Sequence, residues 1–316
     1  MMSYIVKRLG STLLTLLLLS IGIFMLIRLI PGDPVVAMLG EDATPERVAD
    51  LRAQYGLDQA LIPQFLNWLG NVVTGDLGQS VPTSRPVADL ILTRFPVTLV
   101  LALFATLLTI VVAVPMGVAA ATRRGKLADK TVLLTSLVGI SIPSFFLGIM
   151  LLLLFAVQLQ WFPTFGFRSF SEDFFGSLKG FVLPAVSLGA LYLAIVARMT
   201  RASMLEVLSQ DYIVTAEASG LSRLRIRYRH ALKNALIPVV TVVGLNFGAL
   251  LGGSVITEQV FNLPGLGTLL LASIDRRDYP VIQAIVLLIS VIYVVINLLV
   301  DLLYGFLDPR VRYAKN

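Results

Sequence analysis

No cysteine occurs in these 316 residues, which excludes disulfide scaffolds, thiolate nucleophiles and cysteine-bound metals. The single histidine, His230, leaves no multi-histidine metal centre. Charge is scarce: Asp, Glu, Lys and Arg make up 14% of the chain, against about a quarter in an ordinary soluble domain. Neither a G-x-x-x-x-G-K-[ST] phosphate loop nor a nucleophile–base pair can be found, so the chain has no candidate residues for nucleotide hydrolysis or covalent catalysis. What is abundant is apolar: 57% hydrophobic residues and a mean hydropathy of +0.86 describe a membrane protein. The net charge of +6 does not indicate nucleic acid, because the basic residues are spread over short loops between apolar runs.

Charge-free intervals mark the membrane spans. Nineteen residues separate Arg8 from Arg28, 28 separate Arg94 from Arg123, and 18 separate Lys179 from Arg198. No charge occurs over 131–167, 234–257 or 280–300. A helix needs roughly 20 apolar residues to cross the hydrocarbon, so an all-α integral membrane fold with six transmembrane helices is expected. The 131–167 interval is long for one crossing, and Pro163 and Gly166 predict a helix end near Gln158 followed by an interfacial turn. The first span follows Lys7 and Arg8, lacks a small-residue cleavage site before Pro31, and reads as a retained signal-anchor.

With the N-terminus inside, the inner segments carry 16 of the 25 Lys and Arg, while 13 acidic residues fall outside and six inside. The positive-inside rule then predicts both termini in the cytoplasm. This gives a first helix over 1–30, an external cap over 31–95, a five-helix core over 96–305 containing a cytoplasmic loop at 199–234, and a tail over 306–316. Arg28 reads as a residue snorkelling to the interface. The cap opens on a Pro31-Gly32-Asp33-Pro34 turn. Thr44-Pro45-Glu46 predicts a helix start, and a second short helix is expected from Pro63 to Val73, ending at Gly75.

In the fifth span Gly244, Gly248 and Gly252 recur every four residues, leaving one helix face nearly bare. Small residues at that spacing let a second helix approach closely. Packing within this subunit is the first reading; a partner subunit or a translocation path is the second. Pro115, Pro143 and Pro184 read as static kinks that could also serve as hinges.

The 199–234 loop is too polar for lipid and too patterned for a linker. Helical spacing continues past the fourth span through Met204, Leu205, Leu208 and Tyr212. A small-residue stretch, Ala216, Ala218 and Gly220, ends that helix. A basic helix is expected from Leu221, with Arg223, Arg225, Arg227, Arg229 and Lys233 among apolar residues, although the alternation alone would allow a strand. A helix–glycine–helix elbow of this kind suits insertion into a groove on another protein. Its basic half could instead lie on anionic lipid.

Along the whole chain, the sequence resembles the membrane subunits of ATP-binding-cassette importers, in the dipeptide/oligopeptide branch. The resemblance runs through YIVKRLG, PGDP, YGLD at 55–58, GDLGQS at 75–80, RPV at 85–87 and ARMTRASMLEVLSQDYIVTAEASG. It continues in HALKNALIPVVTVVGLNFGALLGG, TEQVFNLPGLG, RRDYPVIQ and NLLVDLLYGFLDPR. In that family the loop carries the EAA motif, whose coupling helix docks in a cleft of the ATPase. The resemblance implies ATPase coupling by Asp211, Tyr212, Ala216, Glu217, Ala218, Gly220, Leu221, Arg223, His230 and Asn234. Val214 stands where the general motif has its glutamate, and Glu217 is out of register; the peptide branch commonly reads A-x-A-x-G.

The same resemblance implies a non-catalytic subunit of the bacterial inner membrane, with no cofactor of its own, since ATP and Mg are bound by partners. Those partners would be a second homologous permease, two cytoplasmic ATPases and a periplasmic binding protein. Relatives carry dipeptides, longer peptides, glutathione, nickel chelates or oligosaccharides, and peptides are the expected class. Candidate path or packing residues are Gly244, Asn246, Gly248, Gly252, Asn297 and Asp301; Asp301 could equally pair with Arg198 or Arg201. Asp33, Glu258, Pro264, Gly265, Arg277 and Asp278 are candidates for an outer gate or binding-protein contact, although ordinary solvated charges are the simpler reading of Glu258, Arg276, Arg277 and Asp278. His230 is expected to brace the elbow. A secondary transporter or channel would place ionisable residues at mid-membrane, which this chain does not clearly do. A receptor or scaffold could use the same loop without moving substrate.

Overall fold

The computed structural model describes residues 2–29, 32–164 and 173–307. Pro31 of the expected turn, Gly166 of the expected interfacial turn and 308–316 of the expected tail lie outside these residues. Among the described residues the chain is all-helical, apart from one isolated antiparallel bridge between Gln79 and Pro86. The helices are α1 (Met2–Leu26), α2 (Pro34–Leu39), α3 (Pro45–Gln54), α4 (Leu61–Thr74), α5 (Val87–Thr122), α6 (Leu127–Ser141) and α7 (Ser144–Leu151). They continue as α8 (Phe174–Leu208), α9 (Asp211–Ala218), α10 (Arg223–Arg225), α11 (Leu232–Val260), α12 (Leu266–Asp275) and α13 (Tyr279–Leu307). Five helices are long and apolar enough to span a membrane, and a sixth span exists if the bent pair α6–α7 counts as one. At about 1.5 Å per residue, the 36 residues of α5 extend about 54 Å, well beyond a hydrocarbon core of about 30 Å.

The third apolar interval differs most from its expected form. Instead of one crossing, α6 and α7 meet at 102°, with α7 continuing as a π-helical turn over Leu152–Gln158. The residue before a proline is pushed out of helical conformation. Ile142 accordingly sits at φ −88°, ψ 122°, and Pro143 is the N-cap residue just before α7. Pro143 is therefore a break, whereas Pro115 and Pro184 lie within continuous helices.

Two compact units divide the chain: Leu99–Leu263 with residues from Ile296 on, and Met2–Thr98 with Pro264–Val295. The core of the first is built largely from small side chains, Ala113, Ala120, Val132, Val196, Ala197 and Val239. Helices in lipid gain from close contact rather than from expelling water, and small residues permit that contact. Gly117 is the extreme case. A β-carbon there would lie 2.7 Å from the Ala197 carbonyl oxygen, so α5 and α8 could not approach as they do. The base of α6 is held by an ion pair: Arg201 on α8 donates to both carboxylate oxygens of Asp129, at 2.5 and 2.9 Å, and the Gly125 amide donates to Oδ2 at 2.9 Å.

In the second unit the segment between α1 and α5 folds into short helices whose ends are set by local residues. Thr44 accepts from the Arg47 amide at 3.3 Å and Pro45 opens α3. Helix α4 ends at Gly75, which has φ +86°. Asp33 caps α2 through the Val35 amide at 3.0 Å and pairs with Arg52. Arg28 does not snorkel freely. Its guanidinium lies 3.5 Å over the Phe24 ring and donates to the side chain of Gln64 on α4.

Candidate functional site

The loop after α8 folds as an elbow built on a hydrophobic floor. Helix α8 stops at Leu208, earlier than continuous helical spacing through Tyr212 suggests, and α9 starts at Asp211 after a break at Ser209–Gln210. Ile213 of α9 is buried with Val118, Ala121, Met204, Ile226, Ala231 and Ala235, and Ala216 and Leu221 pack against that cluster. The rest of α9 faces outward: Asp211, Tyr212, Val214, Thr215, Glu217 and Ala218 are all exposed. A short helix with one side on a core and the other in solvent is held rigidly while its outer face stays available.

Gly220 makes the turn. Its φ of +77° lies in the left-handed region, where L side chains cost about 1–2 kcal/mol. A β-carbon added there would meet no described atom within 4 Å. Ser222 then caps the next segment by accepting from the Arg225 amide at 3.4 Å. The basic stretch is helical, not extended. It runs through a π-helical turn at Ile226–Ala231 directly into α11, making one helix over Arg223–Val260. The two arms of the elbow are fastened where Asn234 Nδ2 donates to the Tyr212 hydroxyl at 2.8 Å. Arg223 is exposed and His230 partly buried at the base of the elbow.

Three sequence stretches far apart in the chain converge in the second unit. The Tyr55 hydroxyl donates to the Gln79 carbonyl at 3.0 Å, and Ser80 Oγ donates to Asp278 Oδ2 at 2.6 Å. Asp278 is only 4% exposed. Burial raises its carboxyl above the usual aspartate range, against the opposing pull of the Ser80 hydrogen bond. Burial, with the Asp278 charge adding to it, pushes the Tyr55 phenol up to about 12. Asp278 is thus an internal group and not a solvated loop charge. Its neighbours in sequence suggest solvation because no local pattern announces Ser80, 198 residues away. Glu258 is internal too: it is fully buried at the end of α11, in the first unit, and accepts from Ser254 Oγ at 3.0 Å. Arg276 and Arg277 are exposed as expected, while Pro264 and Gly265 lead into α12, whose Leu266 amide donates to Thr98 Oγ1 at 2.8 Å.

The glycine face of α11 is used unevenly. A β-carbon at Gly244 would overlap Val300 of α13, and Gly248 is buried, which fits packing inside the subunit. At Gly252 no described atom lies within 4 Å, so that end of the face is open. Asn246 Nδ2 and Asn297 Oδ1 are buried with no hydrogen-bond partner among the described residues, a costly state for a polar atom. Arg201, one of the two expected partners of Asp301, is committed to Asp129 instead. The signal that could have found that pair was Asp129, an acid in an otherwise basic loop.

Comparison with known proteins gives the fold and elbow their setting. The family described as binding-protein-dependent transport system inner membrane component matches residues 113–313, and its N-terminal companion matches residues 1–102. The chain belongs to this family of multi-pass inner-membrane transport subunits. It is 44% identical to a probable peptide ABC transporter permease of Sinorhizobium fredii over 310 residues, covering 98% of this chain and 99% of that one. It is 43% identical to a glutathione transport system permease of Escherichia coli over 313 residues, 99% of this chain and all of the other. A putative peptide transport system permease of Brucella abortus is 45% identical over 313 residues, with the same coverage.

Proposed function

We propose that this chain is one of two translocation subunits of an ATP-driven importer for dipeptides or oligopeptides. The observation that carries this reading is the elbow at 211–234: a rigid, outward-facing short helix closed by a glycine in the left-handed region, with empty space where a partner's surface would fit. Both termini face the cytoplasm in this reading, so the elbow meets a cytoplasmic ATPase, while the 31–95 cap and the segment after α11 face a periplasmic binding protein. The partner permease is a homologous second chain. The subunit itself hydrolyses nothing; two ATPases bind ATP and Mg, and closing on ATP they move the elbow.

Helix α9 would transmit that movement because its floor belongs to α5, α8 and α11 together. A push on its outer face is carried into three spans at once through Ile213. Asn246 and Asn297, buried and unpartnered among the described residues, are the residues assigned to the path, and Asp278, in the second unit, to the outer gate. Relatives named for peptides favour peptide cargo. The glutathione relative makes a modified tripeptide the second reading, since glutathione shares the carboxylate, amine and amide chemistry of a peptide.

Reconstitution tests this. ATP hydrolysis by the assembly of this chain, its partner permease and the ATPases is expected to rise severalfold when a peptide-loaded binding protein is added, with peptide accumulating inside. Stimulation by a glutathione-loaded protein alone would move the cargo to the second reading. Uptake driven by an ion gradient without ATP would overturn the importer reading in favour of a secondary transporter.

A further inference from the structure

Helix α4 carries no Asp, Glu, Lys or Arg in its fourteen residues, LIPQFLNWLGNVVT. At about 21 Å it is too short to cross a hydrocarbon core of about 30 Å. One of its faces is occupied: Phe65 and Trp68 pack on Phe24 of α1, with ring centroids 5.3 and 5.7 Å away. A second apolar stripe is mostly exposed. Ile62, Leu66, Leu69 and Val73 recur at i, i+4, i+7 and i+11, one face of a helix. Ile62 is 74% exposed, Leu66 59% and Val73 79%, while Leu69 is half-buried. Along the opposite edge run Asn67, Asn71 and Thr74. In water such a stripe would be a costly surface, and exposed apolar stripes of this kind mark a missing neighbour.

The depth of α4 identifies that neighbour. Phe24 lies fifteen residues after Leu9, where the charge-free run of α1 begins past Lys7 and Arg8. That is about 22 Å along the helix axis, and the run ends one turn later at Arg28, close to the far edge of a hydrocarbon core of about 30 Å. Because α4 is fastened to Phe24, it sits at the level where acyl chains give way to headgroups. Trp68 and Arg28 occupy the same level, as aromatic and basic side chains do at membrane interfaces. Below it, the exposed row Leu13, Leu14, Leu17, Leu18 and Ile21 on α1 leads up to this boundary as a lipid-facing surface. The stripe on α4 offers no polar atom to fix the register of a protein partner, and lipid needs none.

We propose that α4 is an interfacial helix lying in the headgroup–acyl boundary of the leaflet at the C-terminal end of α1, its Ile62–Leu66–Leu69–Val73 stripe covered by lipid. The inference goes beyond transport and holds for either orientation of the chain, so it stands or falls independently of the importer reading. An interfacial helix with a large apolar face and a polar edge lies along the surface instead of crossing it. It would fix the height of the cap relative to the bilayer, through the Phe24 and Arg28 contacts.

The absence of cysteine makes the test direct. Ile62→Cys, Val73→Cys and Asn67→Cys are each spin-labelled in the full transporter assembly in lipid nanodiscs, and collision with oxygen and with a water-soluble nickel chelate is measured. Labels at 62 and 73 are expected to show an oxygen-to-nickel ratio severalfold above that at 67, and nitroxide-labelled acyl chains should broaden them. Equal nickel access at all three positions would show a water-exposed helix and overturn the proposal. Labels at 62 and 73 that are immobilised and shielded from both reagents would also overturn it, because protein and not lipid would then cover the stripe.

Discussion

A Gly220→Trp permease is expected to insert and assemble at wild-type abundance and to transport nothing. Two features of this glycine separate its own fold from its partner. Its backbone, at φ +77°, taxes any L residue by about 1–2 kcal/mol, a cost shared by alanine and tryptophan. Its side-chain position, by contrast, is empty: a β-carbon added there has no described atom within 4 Å. Volume added at 220 therefore starts in space free of described atoms and extends toward whatever closes over the elbow. Gly220→Ala should keep most of its uptake, while Gly220→Trp should fall to background, both at normal membrane levels by immunoblot. Wild-type uptake by the tryptophan variant would show that no surface closes over Gly220.

The second large effect is structural. Asp129→Ala is expected to destabilise the subunit by about 1–3 kcal/mol, because it leaves the Arg201 guanidinium, itself 21% exposed, without its partner. Much of that cost is the unpaired charge and not the lost attraction. Replacing both groups with apolar residues of similar size, Asp129→Leu with Arg201→Met, should recover most of the loss. Thermal midpoints of the detergent-solubilised assembly distinguish the cases: a large drop for the single variant and a small one for the double. Equal drops for both would mean that the ion pair itself, with the Gly125 amide it also holds, stabilises the base of α6.

Sequence and structure agree where a property is local. Charge-free runs locate the long helices because each needs only its own twenty or so residues, and Thr44-Pro45 locates α3 because capping is settled within one turn. Gly220 is legible for the same reason. Burial of particular charges is not. Asp278 and Glu258 read as solvated because their sequence neighbours are loop-like, yet Ser80 arrives from 198 residues away and Glu258 is enclosed at the end of α11. The bend between α6 and α7 is hidden in a run without charge: hydropathy records length, and Pro143 alone does not tell a kink from a break of 102°. The open end of the glycine face, at Gly252, cannot be told from its packed end at Gly244, since both are the same residue on the same stripe.

The most direct measurement of the coupling account uses a chain without natural thiols. Ser219→Cys places one reactive group on the exposed side of the elbow, beside Gly220. In membranes holding the whole transporter, a short bifunctional thiol-to-amine reagent is expected to join this chain to an ATPase subunit, with the yield changing when ATP is bound. An abundant, correctly inserted Ser219→Cys subunit that forms no ATPase adduct, with or without ATP, would contradict the claim that this elbow is where the transporter is driven.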